Sequence, residues 1–276
     1  MKKYELTAEF IEQWGKKLFR IKALISFGSV EAGELGGYVE KEDNLAQDGD
    51  AWVCDNAWVC DNVMVYGNAR VYGNARVYGN ARVCDNARVC DNVMVCDNAR
   101  VCGNARVYGN ARVCDNARVC DNVRVCDNVM VCDNARVCDN VMVCDNAMVY
   151  GNARVCGNAR VYDNVMVYGD ARVYGDARVC GDAWVYGDAR VYGDARVCGD
   201  ARVCDNADYL LIGRIGSRFS FTTFFKNKDK GITVSCGCFL GTIAEFRAKV
   251  TDTHGNNKHA KIYNLAADMA ELQILG

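Results

Sequence analysis

With 276 residues, a net charge of −2 and 51% hydrophobic residues, the chain can bury a sizeable core and has no global charge to drive nonspecific nucleic-acid or anionic-membrane binding. No apolar run reaches membrane-spanning length and no signal-like stretch follows Met1-Lys2-Lys3, so a cytoplasmic location is expected. Proline is absent, which suits a chain whose backbone N–H groups are nearly all needed by ladders.

Residues 1–29 are expected to form a cap. Thr7 is placed to N-cap a short helix with Phe10, Ile11 and Trp14 on one face, ended by Gly15, and a strand from Leu18 to Leu24 follows. A solenoid is expected over 30–208. Its lead-in, Val30 to Asp50, is irregular (Gly36-Gly37-Tyr38-Val39, Leu45, Gly49). Twenty-six hexapeptides follow, with valine at every sixth residue from Val53 to Val203. Alternation puts the Ala or Val two places before each of these valines on the valine's own face, so that pair points inward. The Arg, Met or Trp before it and the Tyr or Cys after it point outward. Gly, Asp and Asn fill the corner because they tolerate positive φ.

After Asp208 the repeat stops, and 209–276 reads as a βββαα module. Its strands are Tyr209–Ile215, Phe219–Phe225 and Ile232–Phe239. Thr242 and Glu245 form a capping box for a helix with Ile243, Phe246 and Val250 on its apolar face. A second helix, His259 to Leu272, carries Ile262, Leu265, Ala266 and Met269 on one side.

The aliphatic-then-small spacing of Val71 and Ala75, Val107 and Ala111, and Val155 and Ala159 resembles the hexapeptide-repeat left-handed parallel β-helices. That resemblance implies an all-β fold with three hexapeptides per coil, residue n stacked on n+18, and about nine coils. The flanking text is similar to uncharacterised phage and prophage proteins with hexapeptide-repeat centres. It comprises Leu18-Phe19-Arg20-Ile21-Lys22-Ala23, Gly33-Glu34-Leu35-Gly36-Gly37-Tyr38, Ile215-Gly216-Ser217-Arg218 and Ser235-Cys236-Gly237-Cys238-Phe239-Leu240-Gly241-Thr242. It implies a phage origin and no established activity.

An 18-residue coil sorts the outward residues into three columns. The first runs from Trp52 through Arg70, Arg88, Arg106 and Arg124. The third holds Arg82, Arg100, Arg118, Arg136, Arg154, Arg172 and Arg190, which with Arg218 of the Gly-rich turn are the candidate anion-binding residues; the bland alternative is a solvated face. The second holds Trp58, Met94, Met130, Met148, Met166 and Trp184, a candidate face for self-association into a homo-oligomer. Sixteen of the 18 cysteines occupy the slot after valine and interchange with Tyr there. Stacked thiols about 4.8 Å apart are too widely spaced for a disulfide, so they are read as reduced. The third face stacks Cys84, Cys102, Cys120, Cys138 and Cys156, as packing thiols or as a soft-metal or redox column.

The enzymes of the resembled family use histidine as base or metal ligand. Here the two histidines, His254 and His259, lie outside the repeat, so no enzyme activity and no cofactor are expected of the coils. Cys236, Cys238, His254 and His259 have a spacing that could hold zinc, with strand alternation placing both cysteines on one face. The leading expectation is a binding protein for an anionic nucleotide signal or a host protein. A self-assembling structural solenoid, and an enzyme centred on Arg218, Cys236 and Cys238, are the alternatives.

Overall fold

The computed structural model describes residues 1–276. The chain forms two compact units, Met1–Asn146 and Ala147–Gly276. Both contain hexapeptide coils of a parallel β-solenoid, about nine turns in all.

The N-terminal unit begins with a hairpin, Tyr4–Gln13 against Lys16–Ala23, where a helix was expected. Phe10, Ile11 and Trp14 have helical spacing, yet Trp14 and Gly15 both take positive φ (51° and 75°). Two such residues make a tight hairpin turn, and the cross-strand pairs Phe10–Phe19 and Ile11–Leu18 then override the local pattern. Thr7 accepts from Glu9 N–H at 3.2 Å inside the strand instead of capping a helix. The strand Leu35–Val39 pairs antiparallel with Lys16–Ala23 and parallel with Trp58-Val59, converting the cap into the parallel ladder. Gly36 and Gly37 make that crossing possible. A Cβ at either would sit 2.6 Å from the Val53 carbonyl or 2.4 Å from that of Ala57. Lys3 covers the edge, its ammonium donating to the carbonyls of Asp48, Gly49 and Ala51 at 3.3, 3.2 and 3.0 Å.

Each rung is two residues long and pairs with the rung 18 residues on. Arg70, Arg88, Arg106, Arg124 and Met142 stack in one register. The bonds flank each rung, as in Arg88 N–H to the Ala105 carbonyl at 2.8 Å and Cys90 N–H to that of Val107 at 3.0 Å. The inward valines and alanines are fully buried, giving a one-dimensional core of small aliphatic side chains. The corner slot is left-handed throughout, held by Asp (Asp85 φ 60°, Asp91 φ 61°) or Gly (Gly103 φ 69°). The Asp carboxylate accepts the next corner's N–H: Gly103 to Asp85 and Gly109 to Asp91, both at 3.0 Å. The following Asn residues form amide ladders, such as Asn56, Asn74, Asn92, Asn110, Asn128 and Asn146, each donating to the next at 3.0–3.4 Å.

In the C-terminal unit the coils run to Val203, and a short 3-10 turn, Asn206–Asp208, closes them. Asp208 accepts from Cys204 N–H at 2.8 Å and pairs with Lys226 at 2.9 Å. The terminal sheet has four antiparallel strands, Tyr209–Ile215, Ser220–Lys226, Ile232–Cys236 and Phe239–Thr242, one more than expected. The expected strand Ile232–Phe239 is broken at Gly237 (φ 62°), which starts a two-residue turn. Helices α1 (Ile243–His254) and α2 (Lys258–Ile274) pack on this sheet around Phe224, Val234, Phe246, Val250 and Tyr263. The Thr242–Glu245 capping box is present. The buried face of α2 is Ala260, Tyr263, Ala266, Ala267, Ala270 and Ile274, while Ile262, Leu265 and Met269 are exposed. Small alanines let the helix approach the sheet closely, which the larger residues on the opposite side would prevent.

Candidate functional site

Three recesses bring chemistry-bearing side chains together. The first lies on the first face of the N-terminal unit, a cavity of about 280 Å³ lined by Tyr72, Arg88, Cys90, Asp91, Arg106, Tyr108 and Arg124. The repeat builds it by alternating Tyr72, Cys90 and Tyr108 in one column, so a small thiol floors a notch between two rings. Arg88, Arg106 and Arg124 stand exposed beside it. Burial, and then a bond to the Cys90 sulfur, push the Tyr72 phenol up to about 12. Burial also raises Tyr108, which bonds Cys126. Both tyrosines are neutral at physiological pH and can stack without charge cost.

The second lies inside the terminal module, a cavity of about 190 Å³ between the sheet and both helices. Buried Phe246, Val250 and Tyr263 form its floor. Arg218, Lys249, Cys236, Cys238 and His254 are on its wall and rim. Thr222 donates to the Cys236 sulfur at 3.2 Å, and burial, then Cys236, push the Tyr263 phenol up to about 12. Gly216 is required here, because a Cβ would overlap the Tyr263 ring and hydroxyl. The third recess places Arg190 beside Tyr174, Tyr192 and Tyr209 on the third face of the C-terminal unit.

Of the expected anion-binding residues, Arg82, Arg118, Arg136, Arg154, Arg172, Arg190 and Arg218 are exposed and Arg100 is half-buried. Arg190 and Arg218 each line a recess. The recess in the N-terminal coils instead uses the first column, which sequence reasoning set aside. The Tyr-Cys-Tyr alternation at 18-residue spacing was the signal that could have found it.

On the second face Trp58 is 5% exposed, so it is not available to a partner. Trp14 of the hairpin meets its ring edge-on at 4.9 Å and also covers Tyr78. Met94, Met130, Met148 and Met166 are half-buried, and Trp184 lies under the Arg202 guanidinium at 4.2 Å.

The four residues with zinc-like spacing are only partly brought together. Cys236, Cys238 and His254 line one cavity, whereas His259 is outside its lining, with its ring 5.8 Å from that of His254. The turn at Gly237 separates Cys236 from Cys238, so they do not share a strand face as expected. Clusters of sulfur and carboxylate ligand atoms within 4.8 Å of one another lie on the coils, among them Cys84-Asp85-Cys102 and Cys114-Asp115-Cys132. One stacked pair, Cys180 and Cys198, is disulfide-bonded, correcting the all-thiol reading. Their Cα atoms are 4.6 Å apart, within disulfide range, and the side chains close the remaining gap by leaning along the column.

Fold and site together define a β-solenoid repeat protein with a capping hairpin in one unit and a small α+β module in the other. The family model described as the YdcK beta solenoid repeat matches residues 57–73, 69–85, 99–115, 111–127, 143–157, 153–169, 159–175, 171–187 and 183–199. No curated protein matches the chain. A matching solved structure, from Bacillus cereus, carries a title assigning it provisionally as an acetyltransferase. It is 13% identical, with 72% of this chain and 93% of that one covered at a TM-score of 0.23.

Proposed function

We propose that this chain is a non-enzymatic binding protein whose coils hold a nucleotide-like anion in the first-face recess. The observation that supports this most is the pairing of Tyr72 and Tyr108 with Arg88, Arg106 and Arg124 around one cavity. A base stacked on an aromatic ring contributes about 1–3 kcal/mol. Guanidinium forks suit phosphate oxygens, and Asp91 can accept from a ribose hydroxyl or an exocyclic amine. The third-column arginines of this unit neighbour cysteines, Arg82 also having Tyr66 beside it, and lack paired rings, which favours the first column. The resemblance to phage proteins is what suggests a host nucleotide signal as the ligand, held to counter a defence response. The test is a thermal-shift panel of cyclic and linear nucleotides. A shift that Arg106→Ala abolishes is expected; no shift with any of them would sink the proposal.

A second reading, an enzyme in the terminal module, is favoured by Cys236 lying in one cavity with Arg218 and His254. Turnover of activated esters that survives Cys236→Ala would remove it. Self-association would use the half-buried methionines, Met94 and Met130 in the N-terminal unit, and sedimentation mass separates a discrete oligomer from filaments of a structural protein.

A further inference from the structure

We propose that Cys84, Cys102, Cys120 and Cys138, stacked on the third face of the N-terminal unit, form a binding column for copper(I), each ion held linearly between thiolates of successive coils. The register is fixed by the backbone, since the rungs at Arg82, Arg100, Arg118 and Arg136 pair in sequence. The Sγ atoms of Cys84 and Cys102 lie within 4.8 Å of each other, and the same backbone register places Cys120 and Cys138 in line with them.

Spacing selects the metal. Strands repeat at about 4.8 Å. Two thiolate–metal bonds of about 2.3 Å placed end to end span about 4.6 Å, so a linear ion fits the gap with little movement. Zinc wants four donors in a tetrahedron. A column offers two sulfurs per gap, and the Asp85 carboxylate is already engaged by the Gly103 N–H at 3.0 Å. Soft thiolates with low coordination suit copper(I). Four thiols surround three gaps. Loading three copper(I) ions releases four protons and leaves one net negative charge, since each inner thiolate bridges two ions. Arg82, Arg100, Arg118 and Arg136, two residues before each cysteine on the same face, offset that charge.

The chain contains its own controls. Cys54 and Cys90 have tyrosine, not cysteine, at the adjoining coil positions (Tyr72 and Tyr108). Reduced full-length protein is titrated without oxygen with copper(I) against bathocuproine disulfonate, and bound copper and thiolate-to-metal absorbance are read. Cys102→Ser/Cys120→Ser should lose about three ions relative to wild type, the number of gaps these two thiols border. Cys54→Ser/Cys90→Ser should lose none. Equal losses in the two variants, no loss in the first, or zinc displacing the bound copper would overturn the proposal. Should the serine variant lose its strand signal by circular dichroism, Cys102→Tyr replaces it, because tyrosine fills this slot in other hexads. A loss of fewer than about two ions in that variant, the number of gaps Cys102 borders, would also refute the column.

Discussion

The two units build the same rung with different corner chemistry. In the N-terminal unit most corners read Asp-Asn, with Asp in the left-handed slot and asparagine amides running unbroken along each edge. In the C-terminal unit glycine takes that slot at most corners, and from Gly169 to Gly199 Asp moves to the next, as in Gly169-Asp170 and Gly187-Asp188. A carboxylate only accepts, so each amide ladder stops there: Asn152 donates to Asp170, Asn158 to Asp176 and Asn164 to Asp182. Ring stacking is richer in the same unit, with Tyr150, Tyr168 and Tyr186 at 5.0 and 5.2 Å and nearly parallel. The valine-alanine interior is indifferent to the exchange. One backbone therefore tolerates either an amide edge with thiol faces or a carboxylate edge with phenol faces.

Alkali should separate the units most. Burial, then Asp55, hold the Cys54 thiol up at about 12, and burial holds Cys60 at about 11. In the unfolded chain a thiol ionises near 8.5. The folded pKa is the higher, so this stability is fully present below about 8.5 and is lost as pH rises toward 11–12. Lys3, Cys102 and Cys132 oppose it, because burial lowers the Lys3 ammonium to about 8 and bonds from neighbouring thiols lower Cys102 and Cys132, so each adds stability as pH rises, but the raised thiols outnumber them. The disulfide pair Cys180–Cys198 does not titrate, and burial raises the phenols of Tyr168 and Tyr186 above the value of about 10 that a tyrosine has in the unfolded chain. In a Trp184→Phe protein the remaining tryptophans, Trp14, Trp52 and Trp58, report the N-terminal unit. Their denaturation midpoint is expected to fall from about pH 8.5, well before a Tyr168-side probe in the other unit responds. A simultaneous fall would refute the thiol origin.

The solenoid and its coil length were legible because a six-residue period admits few folds. The hairpin was not, because Phe10, Ile11 and Trp14 satisfy helical spacing and only the partner strand decides between the two. The first-face recess was missed for a related reason. Reading columns for arginine alone ranked the third above the first, although Tyr72, Cys90 and Tyr108 had already set a notch beside Arg88 and Arg106. The buried face of α2 was not legible, because close packing against the sheet selects alanine while the larger Ile262, Leu265 and Met269 stay exposed.

Removing one element from each edge tests whether amides and phenols are interchangeable supports. Tyr168→Cys takes away two stacked pairs and should cost about 1–3 kcal/mol. Asn116→Ala interrupts a ladder between Asn98 and Asn134, to which it is bonded at 3.2 Å on both sides. Those groups are exposed and water replaces the bonds, so the loss should be about 0.5–1.5 kcal/mol. Urea midpoints give both values, and a larger cost for Asn116→Ala would make the amide edge the principal support.

The smallest effect has the opposite sign. Asp170 and Asp188 stack in the same slot one coil apart, two carboxylates with no amide between them. Asp188→Asn restores a donor to that column and removes a like-charge contact, so the protein should become more stable by a few tenths of a kcal/mol at low salt. The gain should shrink as ionic strength rises and the charges are screened. Destabilisation by Asp188→Asn, or a gain independent of salt, would show that these carboxylates are retained for a positive contact and are not merely tolerated by the backbone.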